Sequence, residues 1–227
     1  MIARGIVRKF GRLIAQAERH AIEGIEAGKL DVETFITDRF FYEIELIFEQ
    51  HGKIDSIRFD AKPIRGIGRN APEHQFGADI LGVLNVELKN FKQSKGFLLQ
   101  AKMEGDSIRV RRGSRGSILA SFPGIDHAGL LGKQVNDMLS VTADSFVIVY
   151  AMGGFVVVPA SAVKSLEIAS EVYAKRIDAF FKEFLMCFVG DHRLNAADYK
   201  TLESRREEVN ARAAILLEVR EQLKGQG

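Results

Sequence analysis

The chain has 227 residues, 46% hydrophobic and 27% charged, with a formal net charge of +2. That balance is expected of a soluble globular protein with material for one large core. It excludes a global basic signature, so any nucleic-acid surface has to be a local patch, and a single cysteine excludes an intramolecular disulfide or a cysteine-rich zinc site.

Residues 2–28 place Ile2, Ile6, Val7, Phe10, Ile14, Ala17 and Ala21 at helical spacing, with Arg4, Arg8, Lys9 and Arg12 on the other face. Charges interrupt every apolar run, so neither a signal peptide nor a bilayer-spanning segment is expected, and the cytoplasm is the expected compartment. Asp31 is placed to cap a second helix that runs to about Gln50 and closes at Gly52. Within it Glu43 falls on the apolar stripe of Val32, Ile36, Phe40 and Ile47. A buried carboxylate needs a partner. Two readings stand side by side: a salt bridge to Arg39, or a contact with metal or substrate.

Residues 53–60 alternate as a strand, and a loop rich in Gly, Pro and Arg follows from Pro63 to Gln75. Its Gly66-x-Gly68 lacks the rest of a dinucleotide fingerprint. Glu73 and His74 read as a spare acid and a loop residue. Two strands are expected at 77–88 and 96–103, joined through a hairpin connection over Lys89–Gly96. Arg109, Arg111, Arg112 and Arg115 crowd a loop with Gly and Ser, a composition suited to gripping phosphate. A third helix is expected over 126–140 with Gln134 among its apolar residues. Ser145–Met152 and Phe155–Pro159 read as strands, the first buried on both faces. From Ser170 the pattern predicts helix to Gly190, with Cys187 as a small buried hydrophobe, and charged helix again over 196–224. One domain is the simplest organisation, its core at about 31–160 and helical flanks at 1–28 and 165–227.

The chemistry concentrates in Gly77-Ala-Asp-Ile-Leu-Gly and Lys95-Gly-Phe-Leu-Leu-Gln-Ala-Lys-Met. Alternation puts Gln100 and Lys102 on one strand face with Leu98, and Phe97, Leu99, Ala101 and Met103 on the other. An amide and an ammonium interrupting an apolar strand break the binary pattern, as functional sites do. Gly77 and Ala78 leave space beside Asp79. A carboxylate, an amide oxygen and a lysine suit a hard cation such as Mg²⁺ and a phosphoryl group.

In this order, helix, three strands, helix, strand, with Gly-Ala-Asp and then Gln-x-Lys, residues 31–151 resemble the PD-(D/E)XK nuclease superfamily. More narrowly, they are similar to its Mrr-like restriction endonucleases, in which glutamine replaces an acid. The resemblance implies an α/β restriction-endonuclease-like αβββαβ core with a mixed central sheet and extra N- and C-terminal helices. It implies a Mg²⁺- or Mn²⁺-dependent endonuclease acting on DNA in restriction, phage defence or repair. Asp79, Gln100 and Glu43 would hold metal, Lys102 would be the catalytic lysine, and the four arginines and Gln134 would face DNA. A homodimer joined through the terminal helices is expected for cutting both strands, and a partner protein could supply specificity. A non-catalytic nucleic-acid-binding module on the same fold and a Holliday junction resolvase are the alternatives.

Overall fold

The computed structural model describes residues 2–64, 77–105, 107–127 and 129–222, with the Arg115 side chain also left outside the description. Gly66, Gly68, Glu73 and His74 lie outside the described residues. The chain opens with two helices, α1 (Arg4–Glu26) and α2 (Glu33–His51), followed by strands β1 (Lys53–Ile54) and β2 (Ile57–Ile64). Strands β3 (Ala78–Leu88), β4 (Phe91–Met103), β5 (Arg109–Arg112) and β6 (Ile118–Phe122) come next, then helix α3 (Leu130–Val141). The second half runs β7 (Ser145–Tyr150), β8 (Val156–Pro159), α4 (Ala160–Lys164), β9 (Ser170–Arg176), α5 (Ile177–Leu185), α6 (Tyr199–Glu208) and β10 (Ala211–Glu221). The ten strands among the described residues form one mixed sheet in the order β1-β2-β10-β3-β4-β7-β8-β9-β6-β5.

Helices cover both faces. On one side α1, α2 and α5 bury an aromatic core: Phe10 lies 5.1 Å from Phe59, and Phe97 lies 4.6 Å from Phe184 and 5.0 Å from Phe180. Apolar residues three and four apart give each helix the stripe that this face needs. On the other side α3, α4 and α6 pack against Leu81, Val83, Leu98, Val147, Val149 and Leu216. The alternation expected in β4 holds, because Phe97, Leu99 and Ala101 enter the first core and Leu98 the second.

The largest departure is at the C-terminus. The expected helix over 196–224 is a short helix, α6, and then a strand. β10 lies inside the sheet, antiparallel to β2 and parallel to β3, with Leu217 opposite Ala61 on one side and Leu84 on the other. Residues 211–217 are rich in Ala and Leu, good helix formers. Burial on both faces overrides that local preference. Likewise Ser170–Arg176 is a strand, and the helix after it stops at Leu185. That helix ends with Cys187 in the left-handed conformation at φ 66°. The Cys187 N–H donates to Phe184 O at 3.1 Å, and the Phe188 N–H to Glu183 O at 3.0 Å, closing the last turn. Cys187 is therefore exposed at a helix end, not a buried hydrophobe.

Smaller corrections follow the same physics. The β3–β4 hairpin is longer than expected, because β4 begins at Phe91, not at 96, and pairs with β3 as far as Leu88, where β3 ends as expected. The arginine segment at 109–112 is no flexible loop but the outer strand of the sheet, paired with β6. Helix α2 starts after Val32, which is exposed and offers no side-chain cap, in place of Asp31. In α3, Leu130 is exposed. Among the described residues no helix is long and apolar enough to cross a membrane.

Candidate active site

Three neighbouring strands build the site. Ile80 stands opposite Leu99, which makes Gln100 of β4 the next cross-strand neighbour of Asp79 of β3. Ala211 stands beside Ala78 and Ala213 beside Ile80, which sets Arg212 of β10 alongside Asp79 on its other flank. Arg212, Asp79 and Gln100 thus form one row across the sheet. Lys102 follows two residues beyond Gln100, level with Val149 of β7.

Asp79 Oδ2 accepts from the Gln100 amide Nε2 and from the Ala101 N–H, the latter at 2.8 Å. Its Oδ1 lies 3.8 Å from Arg212 Nε. Burial pushes the Asp79 carboxyl above its ordinary value of 3.8, against the opposing pull of the Ala101 amide, Arg212, Lys102 and Gln100. The Gln100 side chain is buried, and its Oε1 has no hydrogen-bond partner. A buried amide oxygen left bare costs free energy unless something meets it.

Helix α2 adds a second carboxylate, Glu33 in its first turn. Glu33 Oε1 accepts from the Met103 N–H at 2.9 Å, and Oε2 lies 3.9 Å from Lys102 Nζ. Burial raises its pKa too, while Lys102 and the Met103 amide oppose the shift. Below it Thr37 Oγ1 donates to Glu33 O at 2.8 Å and shares a 2.7 Å hydrogen bond with the buried Tyr150 hydroxyl. Tyr150 stands opposite Met103 across β4 and β7, so this pair braces the mouth of the site from within the core.

Glu43 is elsewhere. Its Oε1 meets Arg39 at 2.6 Å and its Oε2 meets His20 Nδ1 at 2.7 Å. Ten residues of helix separate it from Glu33, about 15 Å along the axis. The salt-bridge reading of Glu43 is the one that the geometry supports, and the metal reading is withdrawn. Gln134 is buried on α3 with its Oε1 unpartnered, so it presents no surface to a duplex. The space beside Asp79 is also reassigned: Ala78 is fully buried, and a Cβ at Gly77 would come within 3.0 Å of Asp137 Cβ. Gly77 is small to admit α3.

Of the four arginines, Arg111 is held bidentately by Glu171 at 2.5 Å. Arg109 and Arg112 are exposed, while Arg115 belongs to a short 3-10 turn. Glu104 Oε1 accepts from the Val110 N–H at 2.8 Å and ties the start of this strand to the end of β4, two residues past Lys102.

Two members of the site escaped sequence reasoning. An acid in a first helical turn is ordinarily a complement to the helix terminus, so Glu33 carried no flag. Arg212 was hidden inside a segment read as charged helix. Compared with known proteins, the chain matches no family model, no curated protein and no solved structure.

Among the described residues no cluster of three or more His, Cys, Asp or Glu gathers. A cation here would rest on Asp79, Glu33, the free Gln100 oxygen and water. That donor set fits a hard cation such as Mg²⁺, which keeps several waters and needs only one or two carboxylates. The two ends of a primary amide exchange by a half-turn, so Gln100 can offer either its oxygen or its nitrogen to the space beside Asp79.

Proposed function

We propose that this is a metal-dependent nuclease that hydrolyses phosphodiester bonds in DNA, built on a PD-(D/E)XK-like αβββαβ core. Supporting the core assignment is the order α2, β2, β3, β4, α3, β7, with β1 before β2 and with β5 and β6 between β4 and α3 as additions, and with β4 antiparallel to β3 and parallel to β7. In that reading β10 is an extra strand inserted between β2 and β3. What carries the functional reading is one observation: a buried, partnerless Gln100 oxygen beside Asp79, with Lys102 and Glu33 completing the charged cluster.

Asp79, Gln100 and Glu33 would hold Mg²⁺ or Mn²⁺, with Glu33 taking the helix-acid role first expected of Glu43. When bound, the cation would polarise a phosphoryl oxygen and acidify a water. The chain's own residues do the positioning. The Ala101 and Met103 amides fix the two carboxylates, and Lys102 presents an ammonium that stabilises charge developing on the phosphoryl group. Arg109 and Arg112 are exposed on the outer strand β5, whose start Glu104 ties to the end of β4, and they suit contact with flanking phosphates. DNA is the proposed substrate, and a homodimer would supply the second site for duplex cleavage. With β10 inside the sheet, α1 and α6 are the terminal helices left to form the dimer interface.

A second reading has its own support. Asp79 Oδ2 takes two hydrogen bonds and Arg212 guards Oδ1, an arrangement that satisfies the carboxylate without metal. This favours a binding module that has lost hydrolysis. Incubation of supercoiled, linear and single-stranded DNA with Mg²⁺ or Mn²⁺ separates the two. Wild type should cleave, and Asp79→Asn and Lys102→Met should each lose at least about a hundredfold in rate. Cleavage equal in all three proteins, or absent from wild type with DNA binding retained, favours the binding module.

A further inference from the structure

We propose that Arg212 is a phosphate-binding residue, gripping a non-bridging oxygen of the substrate from the Asp79 side of the site. The inference rests on the phosphodiester reading given above and names a contact in it. Its first ground is placement. β10 inserts beside β3 and brings the guanidinium to the row that holds Asp79 and Gln100. The second ground is an unmet donor. The Arg212 side chain is 12% exposed and its Nη1 is buried without a hydrogen-bond partner, while Nε is 3.8 Å from Asp79, the one carboxylate among the described residues that it approaches as an ion pair. A planar fork with five N–H donors is poorly used by one long contact.

The third ground is charge. Asp79 and Glu33 carry two negative charges, and Lys102 and Arg212 carry two positive ones. A divalent cation on the carboxylates would leave both side-chain cations to answer an anion. A phosphodiester brings that anion, with oxygens at the spacing that a guanidinium meets bidentately. Lysine on one flank and arginine on the other would hold the group across the row from Arg212 to Lys102. Glu33 and Tyr150 also lie within electrostatic reach of Arg212 and complete the polar groups around it.

The test is binding with Ca²⁺ in place of Mg²⁺ or Mn²⁺, on a time scale over which no hydrolysis is detected, with a parallel series in EDTA. Inorganic phosphate and a short DNA duplex are titrated separately into wild type, Arg212→Met and Arg212→Lys, with thermal melts to check folding. Arg212→Met should weaken phosphate binding by about ten- to a hundredfold. It should also lower the slope of log affinity for the duplex against log salt by about one. Arg212→Lys should keep that slope but bind less tightly. Loss with the duplex alone assigns the contact to nucleic acid, and loss with both assigns it to phosphate in general. As a measurement on wild type alone, the Arg212 Nε–H resonance should shift on adding phosphate. Wild-type affinity and slope in Arg212→Met, or an unmoved resonance at saturation, would overturn the proposal. Absence of cleavage by wild type with any metal would sink the nuclease reading and leave this binding result standing.

Discussion

At Glu43 the carboxylate is 2% exposed and meets Arg39 and His20, so its charge is answered before any ligand arrives. Glu33 faces Lys102 and the Met103 amide at the edge of the same charged row as Asp79. Neutralising each should therefore have opposite signatures. Glu43→Gln should cost about 1–2 kcal/mol in urea unfolding and leave cleavage rate within about twofold. Glu33→Gln should lower the rate by about 10- to 100-fold with little change in stability. The reverse pattern would restore Glu43 to the site. Glu18 gives a pH test away from the chemistry. Burial raises its pKa above 4.5, against the Phe155 N–H at 2.6 Å and Arg176 at 3.3 Å. The folded state then binds that proton more tightly than the unfolded chain does. This contribution to stability is full below pH 4.5 and is lost as pH rises through the raised folded value. Glu18→Gln keeps an acceptor for Phe155 and removes the penalised charge. Its Tm relative to wild type should climb from about pH 4 to about pH 7, and a falling difference would contradict the assignment.

Strand β10 decides more than its length suggests, since it fills the sheet between β2 and β3 and delivers Arg212. Leu216 on it is fully buried in the second core. Leu216→Ala should cost about 2–5 kcal/mol in equilibrium unfolding, whereas a residue of a peripheral helix would cost less than about 1 kcal/mol. This is also where the sequence was hardest to read. Alternation exposed the oddity of Gln100 and Lys102 because a strand's period is two and the polar pair broke it. Residues 211–217 carry a single polar break, Arg212, near the start of the run: the rest of a strand buried on both faces has no polar side, so its Ala, Ile and Leu also suit a helix. Ser170–Arg176 failed differently, since Tyr173 and its charged neighbours look like a helix surface until β6 pairs with them. Pairing partners distant in the chain decide such segments, and local spacing does not record them.

Over the whole molecule, one mixed sheet holds its charged row where β10, β3 and β4 meet, with α2 supplying an acid from one face and α3 closing behind Gly77. Asp79, Gln100 and Lys102 were legible as a group because two neighbouring strands carry them. Glu33 and Arg212 come from the ends of the chain and needed the fold to join the group. The central claim is that this row accepts a cation. An anomalous-difference map from crystals soaked in Mn²⁺ tests it most directly. The account predicts a single strong peak touching the Asp79 carboxylate and the Gln100 amide oxygen, weakened in Asp79→Asn. A map with no peak there at saturating Mn²⁺, with Gln100 and Arg212 still bound to Asp79, would contradict it.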